Sequence, residues 1–261
     1  VALRLMRIAD HDQQLLRRVR AFLAGLEQLS RAAKPQPRRV VTLGLGSVTL
    51  RARVHSERGL LVLRRERAQI LELLGVVESR LGFDARAVRL LEASLAAARD
   101  KVAARLNLAL AQARSLDVAA ARRTLAAISA AQRRQNPRVA NLLRSLALVE
   151  ARLAAATKLG FVVGKKPPDQ APVLRKLAEV YVLLKTPARA ARLLRRAIEL
   201  QPADRTLRVM LALELAASGD LRGSLATIAL ARQHFGKEAG LDALEQRARR
   251  LYEGWRAKVN R

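Results

Sequence analysis

Cysteine is absent from this 261-residue chain, which excludes disulfides, thiolate metal sites and cysteine nucleophiles together. Aromatic residues make up only 3%, too few for a surface that stacks on single-stranded bases. The three histidines, His11, His55 and His234, lie far apart with no ligand spacing, so neither a metal nor another cofactor is expected. Acids are scarce too: 22 against 50 lysines and arginines, a formal charge of +28. Asp84, Asp117, Glu150, Glu199 and Asp220 stand where they can cap or pair on helices. No acid pair shares a glycine-bounded loop with a histidine, and no serine sits in a nucleophile elbow. The expectation is therefore not an enzyme, with no small-molecule substrate. No apolar run of about eighteen residues occurs. The first dozen residues carry Arg4, Arg7, Asp10 and Asp12, unlike a secretory signal. A soluble protein of the cytoplasm or an organelle matrix is expected; the chain begins at Val1, which leaves a targeting or anchor segment ahead of it open.

What is present is alanine and leucine. Apolar residues make up 51%, a composition suited to close-packed helices and a mainly α fold. Residues 1–37 read as a basic helix, or two meeting near His11, with Leu15, Leu16, Val19, Phe22, Leu23, Leu26 and Leu29 at helical spacing. Its apolar stripe packs on its own domain or serves a membrane surface or partner helix. Lys34-Pro35-Gln36-Pro37 closes it as a stiff linker. Residues 38–82 read as a small antiparallel sheet plus a helix. Val40–Leu43 is a strand, Val48–Val54 alternates apolar with polar, Leu60–Leu63 is a third strand, and Arg64–Leu81 returns to helical spacing. Gly44-Leu45-Gly46-Ser47 lacks the Gly-Lys-Ser/Thr of a phosphate loop and reads as a hairpin turn; Gly164-Lys165-Lys166 fails the same test.

Sheet followed by helix over Val40–Leu81 looks faintly like the start of a response-regulator-type winged helix, a fold that some activators join to helical repeats. That resemblance implies a recognition helix and a hairpin wing; here Phe83–Ala113 is alanine-rich and no final strand pair follows. Residues 83–156 read as degenerate helical hairpins: Ala85–Arg99, Val102–Arg114, Val118–Arg134 and Val139–Ala156. Residues 157–170, with Gly160, Gly164 and Pro167-Pro168, read as a linker or an ordered loop.

The clearest pattern is in residues 171–238. Counted from Ala171 in a 34-residue unit, Leu174, Leu177, Ala178, Tyr181, Ala190, Leu194, Ala197 and Pro202 fall at positions 4, 7, 8, 11, 20, 24, 27 and 32. Restarted at Arg205, Leu211, Ala212, Leu215, Ser224, Ile228 and Ala231 fall at 7, 8, 11, 20, 24 and 27. This resembles two tetratricopeptide repeats. Leu108-Ala109, Ala121 and Leu125 lie at positions 7, 8, 20 and 24 of a degenerate third. Residues 239–261 read as a capping helix, with Leu244, Ala248, Leu251 and Trp255 covering the array and Arg247, Arg249, Arg250 and Arg256 on its wet face.

The resemblance implies a helical-hairpin solenoid and a non-catalytic scaffold or adaptor. A protein partner would lie in a concave groove, with Arg175, Glu179, Arg208 and Glu214 as candidate contacts. The charge points separately to an anionic partner. Candidate contacts are Arg51, Arg53, Arg64, Arg65, Arg122, Arg123, Arg133, Arg134, Lys165 and Lys166. RNA, as in a ribosome-associated architectural protein, DNA, an acidic protein and an anionic membrane surface all fit that chemistry. A winged-helix activator and a part of a bacterial envelope or secretion machine are the further readings.

Overall fold

The computed structural model describes residues 13–36, 39–45, 48–98, 101–236 and 239–259. It is mainly helical, with one two-stranded antiparallel sheet. The chain divides into two compact units, Val1–Ala140 and Asn141–Arg261. The expected start of the first helix near His11, Pro37 of the linker, and Gly46-Ser47 of the hairpin turn lie outside the described residues.

In the first unit, α1 (Gln13–Ser30) precedes β1 (Val40–Leu45) and β2 (Val48–Arg53). The strands pair with Val41 opposite Ala52 and Thr42 opposite Arg51. Leu16, Val19 and Leu23 of α1 are buried with Leu43, Leu73, Leu74 and Val77. The apolar stripe of α1 is thus packed mainly within its own unit, with Leu15, Phe22 and Leu26 half-buried.

The expected third strand is a helix, α2 (Glu57–Arg65). The Ser56 hydroxyl accepts the Gly59 N–H at 3.2 Å and starts the helix as an N-cap. Leu60 then turns inward against Leu29, Val41 and Val54. A four-residue apolar run fits either period, and the cap decides in favour of the helix.

Helices α3 (Arg67–Arg80), α4 (Asp84–Ala97), α5 (Val102–Arg114), α6 (Val118–Ala126) and α7 (Ala130–Gln135) follow. The expected single helix over 118–134 is divided because Ser129 and Gln132 form a capping box that starts α7 afresh. Helix α8 (Pro137–Lys158) begins in the first unit and ends in the second.

The second unit continues with an irregular segment, 159–170, anchored by buried Phe161. Then come α9 (Ala171–Leu183), α10 (Pro187–Leu200), α11 (Arg205–Ala217), α12 (Leu221–Phe235) and α13 (Ala239–Val259). Helices α9, α11 and α13 begin at steps of 34 residues, as do α10 and α12.

Four hairpins share one internal geometry. Small buried residues recur where the two helices of each cross: Gly75 with Ala87 in α3–α4, Ala109 with Ala121 in α5–α6, Ala178 with Ala190 in α9–α10, and Ala212 with Ser224 in α11–α12. The approach is close. A Cβ on Gly75 would lie 2.7 Å from Leu91 Cγ, and the buried Ser224 hydroxyl donates across to the Ala212 carbonyl at 2.7 Å. Removing the side chain is what lets the backbones come together.

Each hairpin also turns in the same way. Gly82, Leu116, Lys185 and Gly219 have φ of +89°, +67°, +53° and +92°. The next residue's N–H reaches back in every case: Phe83 to Glu78, Asp117 to Gln112, Thr186 to Tyr181 and Asp220 to Leu215, at 2.8–2.9 Å. This left-handed cap satisfies carbonyls that a helix end leaves open. Glycine adopts it without strain, whereas Leu116 and Lys185 do so at a steric cost.

Candidate partner groove and basic faces

In the second unit, α11 and α13 line an open trough of about 480 Å³. Its floor is Val209, Leu213, Ala243 and Leu244, with Arg205 and Arg247 beside it. The salt bridges from Arg232 to Asp242 at 2.5 Å and Glu245 at 2.9 Å fix α13 against α12. Trp255 packs on the α11–α12 turn, close enough that a Cβ on Gly219 would lie 2.4 Å from its ring. One wall of the trough is therefore held at both ends by specific contacts.

A second, more polar pocket of about 230 Å³ lies over the start of α9 and α11. Arg175, Lys176, Asp204 and Leu207 line it. Glu179 is the hub beside it, pairing with Arg152 at 3.0 Å, Lys176 at 3.2 Å and Arg175 at 3.5 Å.

The four expected groove contacts separate. Arg175 and Glu179 lie on the presented side of α9 but are engaged with each other. Arg208 is only 8% exposed and donates to the Pro202 carbonyl at 2.9 Å. It holds the chain entering α11 and offers no free guanidinium to a partner, which corrects its place among the groove residues. Glu214 is half-buried, and loss of hydration raises its pKa above the ordinary carboxylate value. Arg247, expected on the wet face of a cap, is exposed and stands at the trough. The trough residues follow from the same 34-residue count, with a third start at Ala239. That start is hidden in the sequence because Gly236 stands where the closing proline was expected.

The basic candidates also separate. Arg51 and Arg53 are exposed and project together from β2. Arg64 reaches back to the Ala32 carbonyl at 2.6 Å and secures the chain leaving α1, while neighbouring Arg65 is exposed. Arg123, Arg133 and Arg134 are exposed and Arg122 is half-buried. Lys165 and Lys166 are exposed in the 159–170 segment of the other unit.

After β2 no further strand occurs among the described residues. The helix after Leu81 is α4, whose Ala87 and Leu91 are buried in its own hairpin. No group of three histidine, cysteine, aspartate or glutamate side chains suited to a metal occurs among the described residues, and no helix there is long and apolar enough to cross a membrane. No protein-family model and no curated protein matches the chain.

Proposed function

We propose that the chain is a non-catalytic scaffold of the tetratricopeptide type. It holds a segment of a protein partner in the trough between α11 and α13 and docks through arginine-rich faces on an anionic surface. The observation that carries this reading is the trough: apolar side chains from equivalent stretches of two successive first helices, with arginines beside them. An apolar floor with charged edges suits a peptide whose apolar side chains are buried and whose flanking acids meet guanidinium groups. The 34-residue steps and the repeated crossing and turn support the repeat assignment.

The test is site-specific photo-crosslinking in cells. A photo-reactive residue in place of Leu213, in the trough, is compared with one in place of Leu230, exposed on α12. A partner captured from position 213 alone, and lost in Arg205→Glu/Arg247→Glu, is expected. The same products from both positions would overturn the reading. The anionic surface is tested separately, by binding of random RNA and duplex DNA between about 50 and 200 mM salt. A fall of several powers of ten means that many phosphates are neutralised by the arginines.

A further inference from the structure

Helix α2 presents a face that its own unit does not use. Arg58, Leu61, Val62 and Arg65 are all exposed, and their spacing of i, i+3, i+4 and i+7 places them in one stripe. Leu61 is 52% and Val62 54% exposed, while Leu60 on the opposite side is fully buried. The result is two bare aliphatic side chains bracketed lengthwise by two guanidinium groups. Arg51 and Arg53 add exposed positive charge on the strand that leads into the helix. No ion pair occupies Arg58 or Arg65 among the described residues.

We infer that this stripe is a contact site for an anionic phospholipid surface. The inference rests on the proposed docking of arginine-rich faces on an anionic surface and names that surface. Lipid headgroups satisfy the arginines at the stripe's ends, and Leu61 and Val62 enter the acyl boundary between them. A phosphate backbone satisfies only the arginines. It leaves the two aliphatic side chains in water, and the stripe carries no aromatic ring to stack on a base. A folded protein partner is poorly served as well, because four side chains of a nine-residue helix fall far short of the roughly 800 Å² per partner of a stable interface. Helix α1, whose apolar stripe is buried, takes no part.

The test uses the full chain in co-sedimentation with vesicles of phosphatidylcholine alone and with about one-third phosphatidylglycerol, at moderate salt. Wild type is expected to pellet with the anionic vesicles only. Leu61→Ser/Val62→Ser changes exposed residues and is expected to leave the fold intact, as circular dichroism would check. It is expected to weaken partition about tenfold, while random RNA binding stays unchanged. Arg58→Gln/Arg65→Gln is expected to weaken partition about 30-fold, roughly fivefold for each arginine. Anionic vesicles bound equally by wild type and by Leu61→Ser/Val62→Ser would overturn the lipid site. So would loss of RNA binding, rather than vesicle binding, in that variant, which would reassign the stripe to nucleic acid. If wild type binds RNA but no vesicle, the lipid inference fails and the anionic-surface reading stands. If it binds neither at low salt, that reading fails as well.

Discussion

Gly219 is where two independent constraints meet, and Gly219→Ala measures their sum. The residue turns α11 into α12 at φ +92°, where a Cβ costs about 1–2 kcal/mol. The added methyl would also lie 2.4 Å from Trp255 Cε2. The indole cannot simply swing aside, because it is stacked on Tyr252 with ring centroids 5.4 Å apart. Forcing a methyl into filled space costs about 1–3 kcal/mol, and the stiffer unfolded chain returns about 0.4–1 kcal/mol. The net expectation is a loss of about 2–4 kcal/mol. Trp255 is the sole tryptophan, so its emission during a urea titration reports the docking of α13 directly. The midpoint should fall by about 1–2 M for a slope in the usual range, and the native emission should shift to the red. Gly160→Ala is the control: φ there is +95°, the next N–H reaches back in the same way, Phe161 to Ala156, and nothing lies within 4 Å of an added Cβ. It carries backbone strain without the collision. If the two variants agree within about 0.5 kcal/mol, the packing of Trp255 on the turn does not close the array, and the reasoning fails.

Three other perturbations test the remaining supports. Lys185→Gly relieves a left-handed residue at φ +53° and should stabilise the second unit by about 0.5–1 kcal/mol once the looser unfolded chain is counted; an unchanged or lower urea midpoint would show that the turn is unstrained. Arg208→Ala removes the donor to the Pro202 carbonyl and should lower stability by about 1–2 kcal/mol, with crosslinking from position 213 unaffected. Burial raises the pKa of Glu214, so the folded chain keeps a proton there that the unfolded chain has already released. The resulting stability is full below the ordinary carboxylate value and is lost as pH rises through the raised one. In Glu214→Gln that loss should vanish, leaving the variant more stable than wild type at neutral pH and level with it near pH 4; parallel pH profiles would refute the assignment.

The hairpins most legible in the sequence are those whose small positions are mostly alanine, with Ser224 the exception, and whose large positions are mostly leucine. Helices α9 and α11 begin at Ala171 and Arg205, where the residue count starts and restarts. The α3–α4 hairpin has the same geometry, and spacing alone gives both of its helices, but with Gly75 and Ser94 at the small positions their pairing as a repeat does not show in the residue types. The buried Ser94 hydroxyl, donating to the Ala68 carbonyl at 2.6 Å, makes serine equivalent to a small apolar residue there. Arg208 went to the wrong face because spacing locates its Cα, whereas its guanidinium reaches backward to a carbonyl before the helix begins. Leu61 and Val62 were hidden inside an apolar run. Only the Ser56 cap and the burial of Leu60 separate the two side chains that face the core from the two that face out.

Many of the acids described in this chain serve its own structure, and this adds to the consequence of the excess of arginine. Glu27 is buried between Arg31 and Arg67, at 2.5 and 3.4 Å. Glu78, 4% exposed, takes Arg20 at 2.6 Å. Glu179 collects three cations, and Glu245 holds Arg232 and Arg249 at 2.9 and 2.8 Å. Asp117, Asp204 and Asp220 cap the N-termini of α6, α11 and α12, where a negative charge also meets the positive end of the helix dipole. Each of these carboxylates is held in place beside backbone donors or cations. Among the described residues no ion pair engages Arg51, Arg53, Arg58 or Arg65, although exposed Glu57 and Glu66 flank the last two in the chain. The buried and half-buried carboxylates fix helix to helix, while Glu57, Glu66, Asp169 and Glu199 stay exposed; what sets the sign of the field that an anionic partner meets is the excess of 50 lysines and arginines over 22 acids.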